Sequence, residues 1–139
     1  MTPYQILLIR QSFARLEFKG EKLGIAMYEH LFRLDPSLRP MFKGDIKAHA
    51  VRLMAAISTV IDGLDDLRPL LNDLRALGSR HSRYGATPKH YALVETALMR
   101  ALGDTLGMSI SSEAKDAWGQ AYRILADVMM MAAAQNQAA

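Results

Sequence analysis

The sequence contains no cysteine. That absence excludes disulfide frameworks, thiolate nucleophiles and cysteine-ligated zinc or iron–sulfur centres, and it leaves histidine and carboxylate to hold any metal. Nor does any apolar run approach the roughly 20 residues that span a bilayer. The N-terminus, Met1-Thr2-Pro3-Tyr4-Gln5, lacks the basic segment and apolar core of a signal peptide. The expectation is a cytoplasmic protein with no membrane partner. Charge of one sign is barely in excess: 17 Lys and Arg against 14 Asp and Glu give +3. So small an excess does not announce nucleic acid, although it suits an anionic cofactor or an acidic partner. What is present is a globular balance over 139 residues, 50% hydrophobic and 22% charged. This predicts one domain over residues 1–139.

Proline, glycine and capping residues divide the chain into helices. Thr2-Pro3 with Gln5 reads as an N-cap, a first-turn proline and a capping-box glutamine. Ile6, Ile9, Phe13 and Leu16 then recur at helical steps, predicting a helix up to Gly20. A second stripe, Leu23, Met27, Leu31 and Leu34, stops at Asp35-Pro36, where the residue before proline is pushed out of the helical region. Pro36 to Met41 reads as a turn and Lys43-Gly44-Asp45 as a loop. The next helix covers 46–61, followed by an apolar set from Leu67 to Leu77 that runs to about His81 and breaks at Gly85. Thr87-Pro88 repeats the cap-and-proline start of a helix that should end near Leu102, with Gly103 and Gly107 bracketing a loop. Ser111 or Ser112 caps the last helix, which carries Trp118, Tyr122, Leu125 and Met129 and frays from Ala133. No alternating strand pattern and no internal repeat is present. The fold class is all-α.

Without cysteine, chemistry rests on His30, His49, His81 and His90. His30 and His90 have no partner at ligand-like spacing and read as surface or hydrogen-bonded residues. His49 and His81 each share a helix with a strong apolar face, Leu53 lying one turn after the first and Leu77 one turn before the second. Two such helices could hold a flat apolar cofactor between them, and imidazole suits iron. On spacing alone, two unrelated half-buried histidines remain the simpler account.

Longer segments change that balance. Met27-Tyr28-Glu29-His30-Leu31-Phe32-Arg33-Leu34-Asp35-Pro36 through Met41-Phe42 closely resembles the second helix and corner of globins. Leu74-Arg75-Ala76-Leu77-Gly78-Ser79-Arg80-His81 through Gly85 is similar to their proximal helix and its exit. Pro88-Lys89-His90-Tyr91-Ala92-Leu93-Val94 and Ala117-Trp118-Gly119-Gln120-Ala121-Tyr122 resemble their last two helices, particularly in bacterial single-domain haemoglobins and neuroglobin. Four segments in globin order span nearly the whole chain. The resemblance implies a globin fold of about six to seven helices around haem b (iron protoporphyrin IX). It also implies dioxygen and other diatomic gases, CO and NO, as ligands, and a monomer or homodimer served by a separate reductase.

By the same resemblance His81 is the proximal iron ligand, and Phe42 wedges the haem. Tyr28, His49 and Leu53 face a bound gas, with His49 also placed to become a sixth ligand. Arg52 and Arg80 lie near the haem edge, while Leu77, Tyr84, Tyr91 and Val94 line it. Two departures from the family stand out. Only seven positions separate Phe42 from His49, a shortened corner before the distal helix. Flavohaemoglobins support the proximal histidine with a tyrosine and a glutamate; Tyr91 matches the first, but the place of the second falls near Ala133, with Asp127 too early. That departure implies weaker peroxidase or nitric oxide dioxygenase chemistry than oxygen binding. A gas-sensing module lacks an output segment in this sequence. A DNA-binding reading would rest on Arg75, Arg80 and Arg83, for which a solvated helix face is the ordinary account.

Overall fold

The computed structural model describes residues 1–16 and 19–138, with the side chains of 136–138 left aside. Among these residues there are six α-helices, three short 3₁₀ turns and no strand. The helices are α1 (Pro3–Leu16), α2 (Gly20–Leu34), α3 (Ile46–Asp62), α4 (Leu71–Arg83), α5 (Pro88–Leu106) and α6 (Ser112–Ala138). Residues 17–18, in the expected last turn of the first helix, lie outside the described residues.

Local chemistry sets most boundaries. At the start of α1, Thr2 N–H donates to Gln5 Oε1 (2.9 Å) and Gln5 N–H to Thr2 Oγ1 (3.1 Å), closing the capping box. Asp45 caps α3 by accepting from Lys47 N–H at 3.1 Å, and Ser111 Oγ caps α6 by accepting from Ala114 N–H at 3.1 Å. Three expected boundaries are corrected. α4 begins at Leu71 rather than Leu67, because Arg68-Pro69-Leu70 winds as a 3₁₀ turn. α5 runs through Gly103 to Leu106, since only Gly107 takes the left-handed backbone (φ +55°) that ends a helix. α6 does not fray at Ala133 but stays helical to Ala138.

The core sits where α2 crosses α5 and α3, while α6 packs along α4 and α1. Leu23, Leu31, Ile9, Leu16 and Leu102 are almost fully excluded from water. Each such burial stabilises by about 1.5–3 kcal/mol before chain entropy is set against it. A polar contact crosses this core: Trp118 Nε1 donates to Ser12 Oγ at 2.8 Å, whose own proton faces the Leu8 and Ile9 carbonyls. Two backbones come unusually close. A Cβ on Gly24 would lie 2.9 Å from Ala50 Cβ, and one on Gly78 only 2.3 Å from Met129 O. α3 thus lies against α2, and α4 against α6, with no side chain between them. Arg10 ties the far end of α3 to α1 by donating to Ile61 O (3.1 Å) and Asp65 Oδ2 (2.9 Å), a cation at a helix C-terminus.

Candidate prosthetic-group site

Between α3, α4, α5 and α6 lies a cavity of about 260 Å³ that reaches Ile9 on α1 and opens beside His81. Its volume approaches the lower end of the ~300–1,000 Å³ typical of small-molecule sites. α3 contributes Leu53, Ala56, Ile57 and Val60; α4 contributes Leu74, Leu77 and His81; α5 contributes Tyr91, Val94 and Leu98. α6 supplies a wall of Tyr122, Leu125, Ala126 and Met129 at helical spacing.

The orientation of His81 follows from its helix. Leu74, Leu77 and His81 fall on one stripe, and Gly78 beside them turns toward α6. His81 Nδ1 lies 2.9 Å from Leu77 O, one turn earlier. A carbonyl only accepts, so Nδ1 carries the proton and Nε2 keeps a bare lone pair. An oriented imidazole with a free Nε2 at the edge of an apolar cavity is a metal ligand in waiting. Tyr91 adds a second sign of a ligand: its buried hydroxyl has no hydrogen-bond partner among the described residues. An orphaned buried hydroxyl costs about 1–3 kcal/mol, a cost relieved when a bound group or water satisfies it. Its neighbour Tyr122 donates to Tyr91 O at 2.7 Å, and burial pushes the pKa of both phenols upward.

On the α3 side, Tyr28, Phe42 and His49 form an aromatic cluster with centroids 5.3 to 6.2 Å apart, joined by Phe32. Burial raises the pKa of Tyr28, an effect partly opposed by the Arg52 charge, so its phenol keeps its proton. His49 is half-buried in this cluster and does not line the cavity. Its Nε2 lies 2.6 Å from Lys43 O and must be the protonated nitrogen; its Nδ1 then accepts from Arg52 Nη2 at 3.2 Å.

Leu53, Leu77, His81, Tyr91 and Val94 therefore converge on the cavity, whereas Tyr28, Phe42, His49, Arg52, Arg80 and Tyr84 are outside its wall. Arg52 and Arg80 are exposed, and Tyr84 is 74% exposed. The α6 wall and His90 are among the lining that the sequence did not mark as site residues, as are Ile57 and Val60 on α3 and Leu98 on α5. The signal for the wall was present in the three- and four-residue spacing of Tyr122, Leu125, Ala126 and Met129. His90 has a local role as well: its Nδ1 accepts from Thr87 N–H at 3.0 Å and completes the cap of α5.

Fold and site define a helical protein with an apolar cavity among its helices and a histidine at the cavity's edge. Comparison makes the class specific: the globin family model matches residues 25–129, and the chain belongs to the globin family. It is 32% identical over 133 residues to a flavohemoprotein of Xylella fastidiosa, covering 92% of this chain and 33% of that one. It is 30% identical over 143 residues to neuroglobin of Danio rerio, covering 93% of this chain and 90% of the relative. The chain spans about a third of the length of the flavohemoprotein it matches. Among solved structures, an engineered carbene transferase derived from a Rhodothermus marinus protein named for nitric oxide dioxygenase superposes with a TM-score of 0.89. That pair is 26% identical, over 99% of this chain and 96% of the other. A bacterial globin of Campylobacter jejuni has the same fold at a TM-score of 0.85 and 21% identity, over 99% of this chain and 100% of that one. No helix among the described residues is long and apolar enough to cross a membrane. Globins carry haem, and the residues here fit one: an apolar cavity, an imidazole with a free Nε2 and a buried hydroxyl awaiting a partner.

Proposed function

We propose that the cavity holds haem b through His81 and that the chain reversibly binds dioxygen and other diatomic gases. The observation that carries this reading is the contact of His81 Nδ1 with Leu77 O at 2.9 Å, which engages Nδ1 and leaves Nε2 for a metal. Haem bound there supplies an iron with one position for a gas and one for histidine. Every other contribution comes from the chain. Leu77 fixes the imidazole plane, while Leu53, Ile57 and Val94 exclude water from the cavity. By the family resemblance Tyr28, held protonated by burial in the aromatic cluster beside the cavity, is the donor to a bound gas.

His49 in this geometry rests outside. Bringing it to the cavity breaks its contacts with Lys43 and Arg52, at about 0.5–1.5 kcal/mol each. Roughly 1–3 kcal/mol places the inward form at about 1–15% of molecules. His49 is therefore turned away before haem enters, and the ferrous site is open so long as an iron–imidazole bond does not outweigh those two contacts. Nitric oxide removal with a separate reductase is a second reading, favoured by the name of the Rhodothermus marinus neighbour and by the flavohemoprotein relatives.

The test is the visible spectrum of the protein mixed with haem. A Soret band with one broad ferrous visible band supports both statements. Split ferrous bands would show an iron–His49 bond outweighing those two contacts, and absence of a Soret band would overturn the haem reading. His81→Ala should lose haem on a desalting column that the native protein survives.

A further inference from the structure

Basic side chains outnumber acidic ones in two stretches of this chain. Residues 71–94, which are α4 and the start of α5, hold Arg75, Arg80, Arg83 and Lys89 against Asp73 alone, a local +3. The other thirteen basic and thirteen acidic side chains cancel in sum, but residues 36–52 carry an equal local excess, Arg39, Lys43, Lys47 and Arg52 against Asp45, there divided among a turn, a loop and α3. Arg75, Arg80 and Arg83 are all exposed, and none is in an ion pair among the described residues. Elsewhere, three of the eight arginines, Arg10, Arg68 and Arg123, are held by a carboxylate.

Two ordinary explanations fall short. A cation near a helix C-terminus complements its dipole, which accounts for Arg80 and Arg83 in the last turn of α4 but not for Arg75, well before it. Haem propionates could draw Arg80 toward the cavity edge, since it lies only about 95° around the helix from the His81 stripe, but the helix turns Arg75 and Arg83 elsewhere. At roughly 100° per residue, Arg75 lies about 130° and Arg83 about 150° around α4 from the Leu74–Leu77–His81 stripe. Both stand on the outer surface, about 12 Å apart along the axis and one helix diameter (~10–12 Å) from the cavity side.

We propose that the outer face of α4, through Arg75, Arg80 and Arg83, docks the acidic face of an electron-carrying protein. Docking there puts the donor one helix away from the cavity. This rests on the haem reading above: one electron leaves the donor's reduced iron–sulfur centre, which is oxidised, and ferric iron in the cavity becomes ferrous. No bond is made or broken. Exposed arginines without ion pairs suit a transient encounter, in which charge sets the on-rate more than the lifetime.

The test uses a reduced plant-type [2Fe–2S] ferredoxin, a small acidic carrier, mixed in stopped flow with the ferric haem-loaded protein. The native rate should fall at least tenfold between roughly 20 mM and 300 mM salt, as the screening length shortens. Arg75→Glu/Arg83→Glu should lower the low-salt rate at least tenfold and flatten the salt dependence. Reduction by photoreduced deazariboflavin, a neutral small molecule, should not change. Titration calorimetry of oxidised ferredoxin against the protein without haem should show the same loss on charge reversal. Equal rates for native and reversed proteins would overturn the docking proposal, as would a salt-independent native rate. So would a reversal that abolishes binding to heparin while leaving the ferredoxin rate unchanged. Failure of the protein to form a Soret band would instead strike the haem reading, and the calorimetric arm still decides the surface.

Discussion

Gly78 is the residue on which the placement of His81 turns, and its replacement by alanine tests this. A Cβ at Gly78 would stand 2.3 Å from Met129 O and 2.6 Å from its Cα, where ordinary contact begins near 3.4 Å. The obstacle is backbone, which has no rotamer to adopt. α4 must therefore withdraw from α6 by about 1.1 Å, the difference between those distances. Overpacking of this kind costs ~1–3 kcal/mol, against a gain of ~0.8–1 kcal/mol from the better helix former. The fold should lose at most about 2 kcal/mol, a drop of several degrees in Tm. The larger effect falls on His81, one turn further along the same stiff helix. A misplacement near 1 Å at a working group can cost about 10²-fold, so haem transfer to an excess of an apo-globin scavenger should accelerate tenfold or more. Gly103→Ala is the control, because a Cβ there meets only the flexible end of Lys115 at 3.2 Å. It should leave haem transfer unchanged and hold or raise Tm. An alanine at position 78 that raises Tm and leaves haem loss at the native rate would refute the reasoning.

The other expectations can be checked with the same material. Tyr91→Phe removes an unpartnered hydroxyl and should leave the haem-free protein equally stable or about 1 kcal/mol more stable in urea. Tyr122→Phe, which cuts the 2.7 Å bond to Tyr91 O, should lose about 1 kcal/mol in the same assay. Tyr28, Tyr91 and Tyr122 all have phenol pKa values raised by burial. Their contribution is complete below the unfolded value of about 10 and is lost as pH climbs toward the folded values, so urea midpoints should fall between pH 9 and 11. Arg52→Ala frees one side of His49 and should increase the split-band ferrous component of the spectrum. Tyr28→Phe should speed dioxygen release by about 10- to 100-fold, the equivalent of ~1.5–3 kcal/mol, while moving carbon monoxide release much less.

What could be read from the sequence was what is decided within a few residues. Thr2 with Gln5, Asp35-Pro36 and Ser111 act through contacts three positions apart or less, and each boundary stands where the sequence places it. Gly103 and Gly107 look alike in sequence. Tertiary packing decides that one continues α5 while the other takes a positive φ and ends it. The site divides along the same line. His81 is oriented by Leu77, four residues away on one helix, and its spacing is visible without a structure. The direction of His49 depends on the carbonyl of Lys43 in the corner, which no side-chain pattern reveals. The α6 wall was legible as a stripe but not as part of the cavity, because nothing in the stripe says which neighbour it meets. Arg75 and Arg83 were visible as basic residues; the face they stand on came from the fold.

Trp118 lies in the wall of the cavity and is the one tryptophan of the chain. Its indole is pinned by the 2.8 Å bond to Ser12. The ultraviolet emission of the whole molecule therefore comes essentially from a single, immobilised lamp set beside the chamber. A porphyrin entering that chamber absorbs where the indole emits, so uptake should darken the emission in proportion to occupancy, without a label. The same lamp gauges the core. Replacing Ser12 with alanine frees the indole N–H, and the emission should respond even where absorbance of the loaded protein does not.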